Sequence, residues 1–236
     1  MHEPMTPPPA HSTPSSDSSP PDGALRATSI VDCDHVAVQE FAHTTTAGMT
    51  DTLEKAVRLY YAVRDGYRYD PYRIELTPHG MRASTVLANG YGWCVPKAVL
   101  LAAACRAVGI AARVGLADVR NHMSTARLRE EMGTDVFYRH GYTAILLNGK
   151  WVKATPAFNV ELCQKMRLHP LEFDGREDSV YHPFDIDGHR HMEYIALQGE
   201  HDELPLKDII DTFRQHYPRM GSLQGASWDD DVAAEN

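Results

Sequence analysis

The chain has few cysteines for its length. Only Cys33, Cys94, Cys105 and Cys163 occur among 236 residues, and no two of them form a CxxC pair. A secreted protein held together by disulfides needs more cysteines in a shorter chain. The first residues carry Pro and Ser where a signal peptide has a basic start and an apolar core. We therefore expect reduced thiols and a cytoplasmic protein.

Long apolar runs and clusters of basic residues are also missing. No apolar run reaches the roughly 20 residues that a membrane-spanning helix needs. The formal net charge is −9, whereas a surface that binds nucleic acid needs clustered Lys and Arg. We expect neither nucleic acid nor a membrane as a partner. The oligomeric state stays open.

Both ends of the sequence have the composition of tails. Residues 1–24 are rich in Pro and Ser and nearly free of large apolar side chains, which predicts disorder. Residues 219–236 resemble a second, flexible tail, with Trp228 as its one anchor. The segment between them, residues 25–218, is predicted to form one domain. The pattern leaves the role of residues 156–202 open.

Hydrophobic periodicity predicts a mixed domain of helices and strands. Residues 94–108 are apolar on nearly every face and end at Gly109, which is typical of a buried helix. We interpret Lys97, within this segment, as a surface charge. Residues 65–92 are predicted to be mostly loop. The other predicted elements are helices over 52–64, 124–132 and 206–216, and strands over 110–116, 138–147, 151–154 and 194–197. A hairpin at Asn148-Gly149 favours antiparallel pairing and an α+β fold.

Cys94 stands where the loop NGYGW enters the buried helix. Unpaired backbone N–H groups and the helix dipole favour an anion at that point, which lowers a thiol pKa. The same N–H groups suit the oxyanion of acyl transfer. Tyr91, Gly92 and Trp93 are candidate substrate-binding residues, since glycine leaves room and the indole is flat. The alternative is a small buried hydrophobe, which is how we interpret Cys105.

A nucleophilic cysteine needs a base within reach in the fold. Among thirteen histidines, His140 is the best candidate, because it opens the strand that leads into the hairpin. Gly141 beside it leaves room for substrate. The alternative is a surface histidine at a strand end. The next candidates for the base are His79, His122 and His182.

Two motifs resemble the transglutaminase-like superfamily of thiol enzymes. They are GYGWCVPKAVLLAAACRAVGIAARV and HGYTAILLNGKWVKATP, and VRDGYRYDP resembles the segment upstream of the family's cysteine. His140 lies nine residues before Gly149 and eleven before Trp151, the spacing that family members show. The resemblance covers residues 51–160. It implies an α+β fold with a papain-like core, in which the helix carrying Cys94 packs on an antiparallel sheet carrying His140.

The resemblance also implies a chemistry. We expect hydrolysis of an amide, isopeptide or cyclic amide bond through a Cys94 thioester, with His140 as base and no cofactor. The substrate is a small-molecule or peptide amide. Two alternatives remain open: acyl transfer to an amine, and a non-catalytic binding module of the same fold.

One position departs from the family pattern. The family places an aspartate four residues after the tryptophan to orient the histidine, and here that residue is Thr155. A hydroxyl can accept a hydrogen bond from an imidazole N–H but adds no charge. Thr155 is the first candidate for this role. Asn159, also a candidate substrate-binding residue, is the second. Less favoured are Asp174, Asp185 and Asp187, and loss of catalysis is the third possibility.

The segment DIDGHRH, residues 185–191, suggests a metal site, because alternate residues of a strand share a face. Cys163 would add a soft ligand. Against this, Gly188 interrupts the strand and no zinc-binding spacing is present. We expect no metal.

Overall fold

A computed structural model describes residues 22–122, 124–180, 184–217, 219 and 226–235. A 3₁₀ helix spans Asp22–Leu25. The α-helices are α1 (Val36–Thr45), α2 (Thr52–Gly66), α3 (Pro78–Met81), α4 (Ala83–Asn89), α5 (Cys94–Ala107), α6 (Ala126–Met132), α7 (Val160–Lys165), α8 (Leu206–His216) and α9 (Trp228–Glu235). The strands are β1 (Arg68–Tyr69), β2 (Tyr91–Gly92), β3 (Ala112–Asn121), β4 (Val136–Leu147), β5 (Lys150–Ala154) and β6 (Met192–His201).

The main sheet is antiparallel, with the order β5-β4-β3-β6. Asn148 and Gly149 join β4 to β5 with φ angles of 50° and 79°. Two positive φ values suit the tight turn of a hairpin, so the predicted hairpin is confirmed. β1 and β2 form a separate short parallel pair. The α+β fold class expected from the sequence is likewise confirmed.

Helix α5 lies at the centre of the molecule. All its residues from Cys94 to Arg106 are buried, because the helix is apolar on every face. It packs against β3 and β4 on one side and against α1, α2 and α4 on the other. The expected arrangement of a buried helix on an antiparallel sheet is therefore present.

The prediction of a loop over residues 65–92 is wrong in part. The segment contains β1, β2, α3 and α4. Local capping explains both helices: the Thr77 side chain accepts from the N–H of Gly80 at the start of α3, and Gly90 ends α4 with a φ of 74°. These helices are too short for a clear periodicity. Helix α1, which we did not predict, begins at the cap His35.

The C-terminal segment differs from the expected flexible tail in residues 226–235. There α9 packs Trp228 against the rings of Tyr69 and Tyr72, at centroid distances of 6.1 and 5.3 Å. Asp231 accepts a hydrogen bond from Tyr72 and pairs with Arg127. Trp228 is thus the anchor that the sequence suggested. At the other end, Ala24 is already buried, while residues 1–21 of the predicted disordered tail lie outside the described residues.

Within the described part of the chain, every helix is too short or too polar to cross a membrane.

Candidate active site

The sulfur of Cys94 lies at the N-terminus of α5. Trp93 precedes the helix and supplies no side-chain cap, so the first N–H groups of the helix stay available. The backbone N–H groups of Val95 and Gly141 reach the Cys94 sulfur and favour its thiolate. Helix α5 and strand β4 therefore both supply hydrogen-bond donors to one sulfur atom.

Burial nevertheless dominates the acidity of this thiol. Cys94 is 5% exposed, and desolvation raises its pKa to about 12, against the smaller opposing effect of the backbone N–H groups. The expectation of a lowered thiol pKa is therefore wrong for the resting protein. The backbone N–H groups lower the pKa of Cys94 as expected, but the loss of water around the sulfur raises it by more.

Cys94 and His140 line the same cavity, whose empty space, including its open mouth, is about 370 Å³. Aromatic rings form most of its walls: Tyr69, Trp93, Phe137, Tyr138, Phe213 and Tyr217. Pro71, Ile74, Leu128 and Met132 complete the lining. His140 is 3% exposed and pairs with Ala117 across the β3–β4 ladder. The two residues predicted to carry the chemistry thus face one small, water-poor space.

Gly141 allows the close approach of β4 to α5. A Cβ atom added at this position would lie 2.7 Å from the Cα of Val95 and 3.0 Å from the carbonyl oxygen of Cys94. Both are backbone atoms of the helix, so no side-chain rotation relieves the contact. The absence of a side chain at Gly141 brings its N–H to the Cys94 sulfur.

The residue before His140 has a strained backbone. Arg139 has a φ of 60°, which side chains other than glycine adopt infrequently. The Asp118 carboxylate accepts from the N–H of Arg139 at 3.0 Å and from the Gln198 amide at 2.5 Å. The Arg139 guanidinium in turn donates to Gln198 and to Thr212. These bonds hold the irregular turn from which His140 enters the cavity.

Two phenols of the cavity stay protonated over the usual pH range. Burial raises the pKa of Tyr69 and of Tyr217 well above the ordinary value, and the nearby sulfur of Cys94 acts in the same direction. The Tyr217 hydroxyl accepts from the N–H of Tyr138 and donates to the carbonyl of Val136. Neither ring brings a charge to the site.

Lys97, one turn after Cys94, is fully buried, so its interpretation as a surface charge is wrong. Its Nζ donates to the carbonyl oxygens of Arg64, Tyr67 and Ala157 at 2.9, 2.6 and 2.8 Å. The protonated amine has three hydrogens for these three carbonyls, and the neutral amine has two. Desolvation lowers the pKa of Lys97 to about 7. The amine ties α5 to the end of α2 and to the segment after β5.

The two residues considered as orienters of His140 make bonds elsewhere. The Thr155 hydroxyl donates to the carbonyl of Val180 at 3.2 Å, and Thr155 does not line the cavity of Cys94. The Asn159 side chain accepts from the N–H of Tyr69 and donates to Glu161. Asn159 thus fixes the backbone of a cavity residue. Its role as an orienter and that of Thr155 stay predictions.

Four of the five predicted substrate-binding residues line three hollows, and Gly141 lines none of these three. Trp93 lines both the cavity of Cys94 and a neighbouring hollow of about 320 Å³, which Tyr91 and Gly92 also line. Asn159 lines a wider hollow of about 670 Å³. Tyr69 connects that hollow with the cavity of Cys94.

The less favoured acids bind other groups. Asp174 accepts N–H groups of its own turn, and Asp187 pairs with the Arg167 guanidinium. Asp185 accepts the N–H of His189 and contacts its ring at 3.0 Å. Ligand atoms of Asp185, Asp187 and His189 come within 4.8 Å of one another, but each already has a protein partner.

The other ligand and base candidates lie away from this cavity. Cys163, the expected soft metal ligand, is buried beside the carbonyl of Phe158. As alternative bases, His79 is exposed and His122 pairs with Glu193. His182 lies outside the described residues.

Sequence reasoning did not identify most of the cavity wall. Phe213 carried a signal, because it lies on the apolar face of the amphipathic helix over 206–216. Tyr138 and Phe137 precede the predicted histidine closely. Asp118 also carried one, as a lone carboxylate within an apolar strand. Nothing in the pattern of Leu128 or Tyr217 distinguishes a wall residue from ordinary core.

The model of the transglutaminase-like superfamily matches residues 39–156, which include Cys94, His140 and the hairpin. The chain belongs to this superfamily, a group of cysteine-dependent enzymes. No curated protein gives a significant match.

Solved structures with a similar fold include a candidate cysteine protease from Cytophaga hutchinsonii, with 16% identity and a TM-score of 0.45, covering 74% of this chain and 45% of that one. A candidate protease from Parabacteroides distasonis has 21% identity and a TM-score of 0.38, covering 56% and 25%. The arylamine N-acetyltransferase of Mycobacterium abscessus has 15% identity and a TM-score of 0.38, covering 56% and 46%. The chain spans less than half the length of each of these proteins.

Proposed function

We propose that the protein is a cysteine-dependent hydrolase that cleaves an amide, isopeptide or cyclic amide bond through a thioester on Cys94. One observation carries the proposal. Cys94 and His140 line one cavity, while the N–H of Gly141 reaches the Cys94 sulfur. A nucleophile, a base and a donor for the oxyanion are the parts that acyl transfer needs.

In the first step, the Cys94 thiol loses its proton and attacks the substrate at the same time. Because burial raises the pKa of Cys94 to about 12, the resting sulfur carries its proton. His140 takes this proton as the sulfur attacks the substrate carbonyl and a C–S bond forms. The N–H groups of Val95 and Gly141, which favour a thiolate, then stabilise the oxyanion beside it.

The second step releases the amine and then the acid. The tetrahedral intermediate collapses, the C–N bond breaks, and His140 gives its proton to the leaving amine. Water attacks the thioester while His140 accepts a proton from it. The C–S bond breaks, the carboxylic acid leaves, and the proton returns to Cys94. Transfer of the acyl group to an amine would follow the same path with an amine in place of water.

The rival is a binding module that no longer catalyses. One observation favours this rival. Thr155 occupies the family's aspartate position, and its hydroxyl donates a hydrogen bond to the carbonyl of Val180. A neutral orienter stabilises an imidazolium less than a carboxylate does, which lowers the rate. The rival predicts binding without turnover.

A screen of the purified protein against a library of peptide, isopeptide, cyclic and small-molecule amides tests the proposal, with released amine as the readout. Cys94→Ala should abolish every hit. Cys105→Ala is the matched control, since Cys105 lies on the same helix and is also buried. Turnover that survives in Cys94→Ala contradicts the proposal, and compounds that bind without release of amine favour the rival.

A further inference from the structure

The walls of the Cys94 cavity are mostly apolar and aromatic. Among the described residues, no Asp, Glu, Lys or Arg lines this space. Tyr69 and Tyr217 contribute phenols that burial keeps protonated. A substrate group that carries a carboxylate or an ammonium would lose its water here and meet no Asp, Glu, Lys or Arg side chain in the described lining, which disfavours its binding.

The charged side chains at the turn before His140 are bound to other groups. The Arg139 guanidinium donates to Gln198 and Thr212. The Asp118 carboxylate accepts from the N–H of Arg139 and from Gln198. Both charges are thus engaged in holding the turn before His140 and do not line the cavity.

The shape of the space favours a flat group. Trp93 and Phe213 have ring centroids 5.8 Å apart at 45°, and Phe213 meets Tyr217 edge to face at 4.9 Å. Rings in these arrangements leave faces and edges against which a further ring packs well. The wall is therefore built mainly of apolar rings, which suits a flat apolar group better than an extended polar chain.

We infer that the acyl group transferred to Cys94 is uncharged, apolar and aromatic. This inference rests on the proposed function and adds the substrate class to it. The hollows beside the cavity, which Arg73 and Glu75 line on one side and Asp65 and Lys165 on another, are polar and suit the remainder of the substrate. Specificity for the acyl side therefore comes from the apolar cavity.

The test uses the p-nitrophenyl esters of three acids: phenylacetate, acetate and the half-ester of glutarate. Nitrophenolate is a good leaving group and departs without a proton from a general acid. The Cys94 sulfur attacks the ester carbonyl, the C–S bond forms, the C–O bond breaks, and p-nitrophenolate leaves while the thiol proton passes to His140. Nitrophenolate absorbance and intact mass measure acylation, and peptide mapping assigns it to Cys94. Each rate is divided by the rate with free N-acetylcysteine.

Phenylacetate should acylate Cys94 about tenfold or more faster than acetate, since the ring is buried in the product. The glutarate half-ester should be the slowest of the three. Acetate or glutarate reacting as fast as phenylacetate overturns the inference while the proposed function stands. If wild-type protein releases nitrophenolate from none of the esters faster than Cys94→Ala does, the proposed function itself fails.

A wall variant tests the cavity directly. Phe213→Ala should reduce the preference for phenylacetate over acetate by about threefold or more, because one wall ring is lost. Ile195→Ala is the control, since Ile195 is half exposed and lies outside the cavity. The readout is a ratio of two rates on one protein, so a loss of folded protein does not change it. An unchanged ratio in Phe213→Ala overturns the inference.

Discussion

The two cysteines of α5, Cys94 and Cys105, lie on one helix but differ in their surroundings. Burial raises the pKa of Cys94 and of Cys105 to about 12. The N–H groups of Gly141 and Val95 oppose that effect at Cys94, whereas Cys105 has only the charge of Arg106 beside it. Cys94 also borders a cavity, and Cys105 is fully buried in the core. The two thiols thus differ in their hydrogen-bond donors and in access, and share their resting acidity.

The ends of the helix explain this difference. At the C-terminal end, the Arg106 guanidinium donates to the carbonyls of Ala112, Arg26 and Asp202 and joins three segments. At the N-terminal end, no side chain caps the helix. One end of α5 is therefore closed by a structural cation, while the other keeps its backbone donors for the sulfur and its substrate.

The largest expected effect is on turnover. Cys94→Ala and His140→Ala should each lower kcat by about a thousandfold or more, since the nucleophile and its base act as one unit. The double variant should be no slower than either single variant. Kinetics on any hit from the amide screen, with circular dichroism as a check on folding, measures this. A double variant far slower than both single ones would show that the residues act independently.

The second largest effect should be the loss of stability when the Lys97 amine, which lies between Cys94 and Cys105 in the sequence, is removed. Lys97→Met leaves the carbonyls of Arg64, Tyr67 and Ala157 without their donor, and should lower the free energy of unfolding by about 3 kcal/mol. Urea unfolding at pH 8 measures it. Lys207→Met is the control, because Lys207 is exposed and pairs only with Asp211. If Lys97→Met lowers the free energy of unfolding by less than Lys207→Met does, the hydrogen bonds of Lys97 make no net contribution to stability.

The pH dependence of the Lys97→Met effect has a definite sign. The pKa of Lys97 falls from its ordinary 10.5 to about 7 on folding, so between these pH values the unfolded chain binds more protons than the folded one. The stability that Lys97 contributes is therefore full above pH 10.5 and is lost as the pH falls to 7. The difference between wild type and variant should widen from pH 7 to pH 9. A difference that narrows contradicts the lowered pKa.

The third effect is on thiol labelling. Iodoacetamide should alkylate Cys94 about a hundredfold faster than Cys105, because Cys94 borders a cavity and Cys105 reacts only after part of the core opens. With a pKa of about 12, the rate at Cys94 should keep rising from pH 7 to 9.5. Peptide mapping by mass spectrometry gives both rates. A plateau below pH 8 would reveal a preformed thiolate and would contradict the raised pKa.

The smallest effect should come from Gly141→Ala. The added methyl meets the backbone of Val95 and Cys94, so β4 must move away from α5, at a cost of about 2 kcal/mol in unfolding free energy. The N–H then leaves the sulfur, and the labelling rate of Cys94 should change with it. Gly66→Ala is the control, since nothing lies within 4 Å of its added Cβ. Equal stabilities of the two variants would exclude the close contact.

The sequence predicted the central elements well, because their signals are local. The apolar run from Cys94, the Asn148-Gly149 turn and the amphipathic helix over 206–216 each lie within one stretch of chain, and all three are present. The two motifs also predicted that Cys94 and His140 act together, and both residues line one cavity. Most of the cavity wall was not predictable, since residues such as Leu128 and Tyr217 come from segments that only the fold brings together.

Two errors have the same physical cause. Lys97 was interpreted as a surface charge because its type usually is one, and three carbonyls distant in sequence reverse that expectation. The pKa of Cys94 was expected to fall because a helix N-terminus lowers it, and burial reverses the direction. A sequence pattern indicates the neighbours along the chain, while desolvation depends on everything that folds over the group.

Lys97 also affects the order in which the molecule assembles. Its partners Arg64 and Ala157 lie 33 residues before it and 60 residues after it. Until both segments arrive, the ammonium keeps its water, and the first turns of α5 cannot be fully enclosed. Contacts between such distant positions form slowly, because long loops must close first. During refolding, the turn that carries Cys94 should therefore lose its contact with water only after both of these segments have packed against α5.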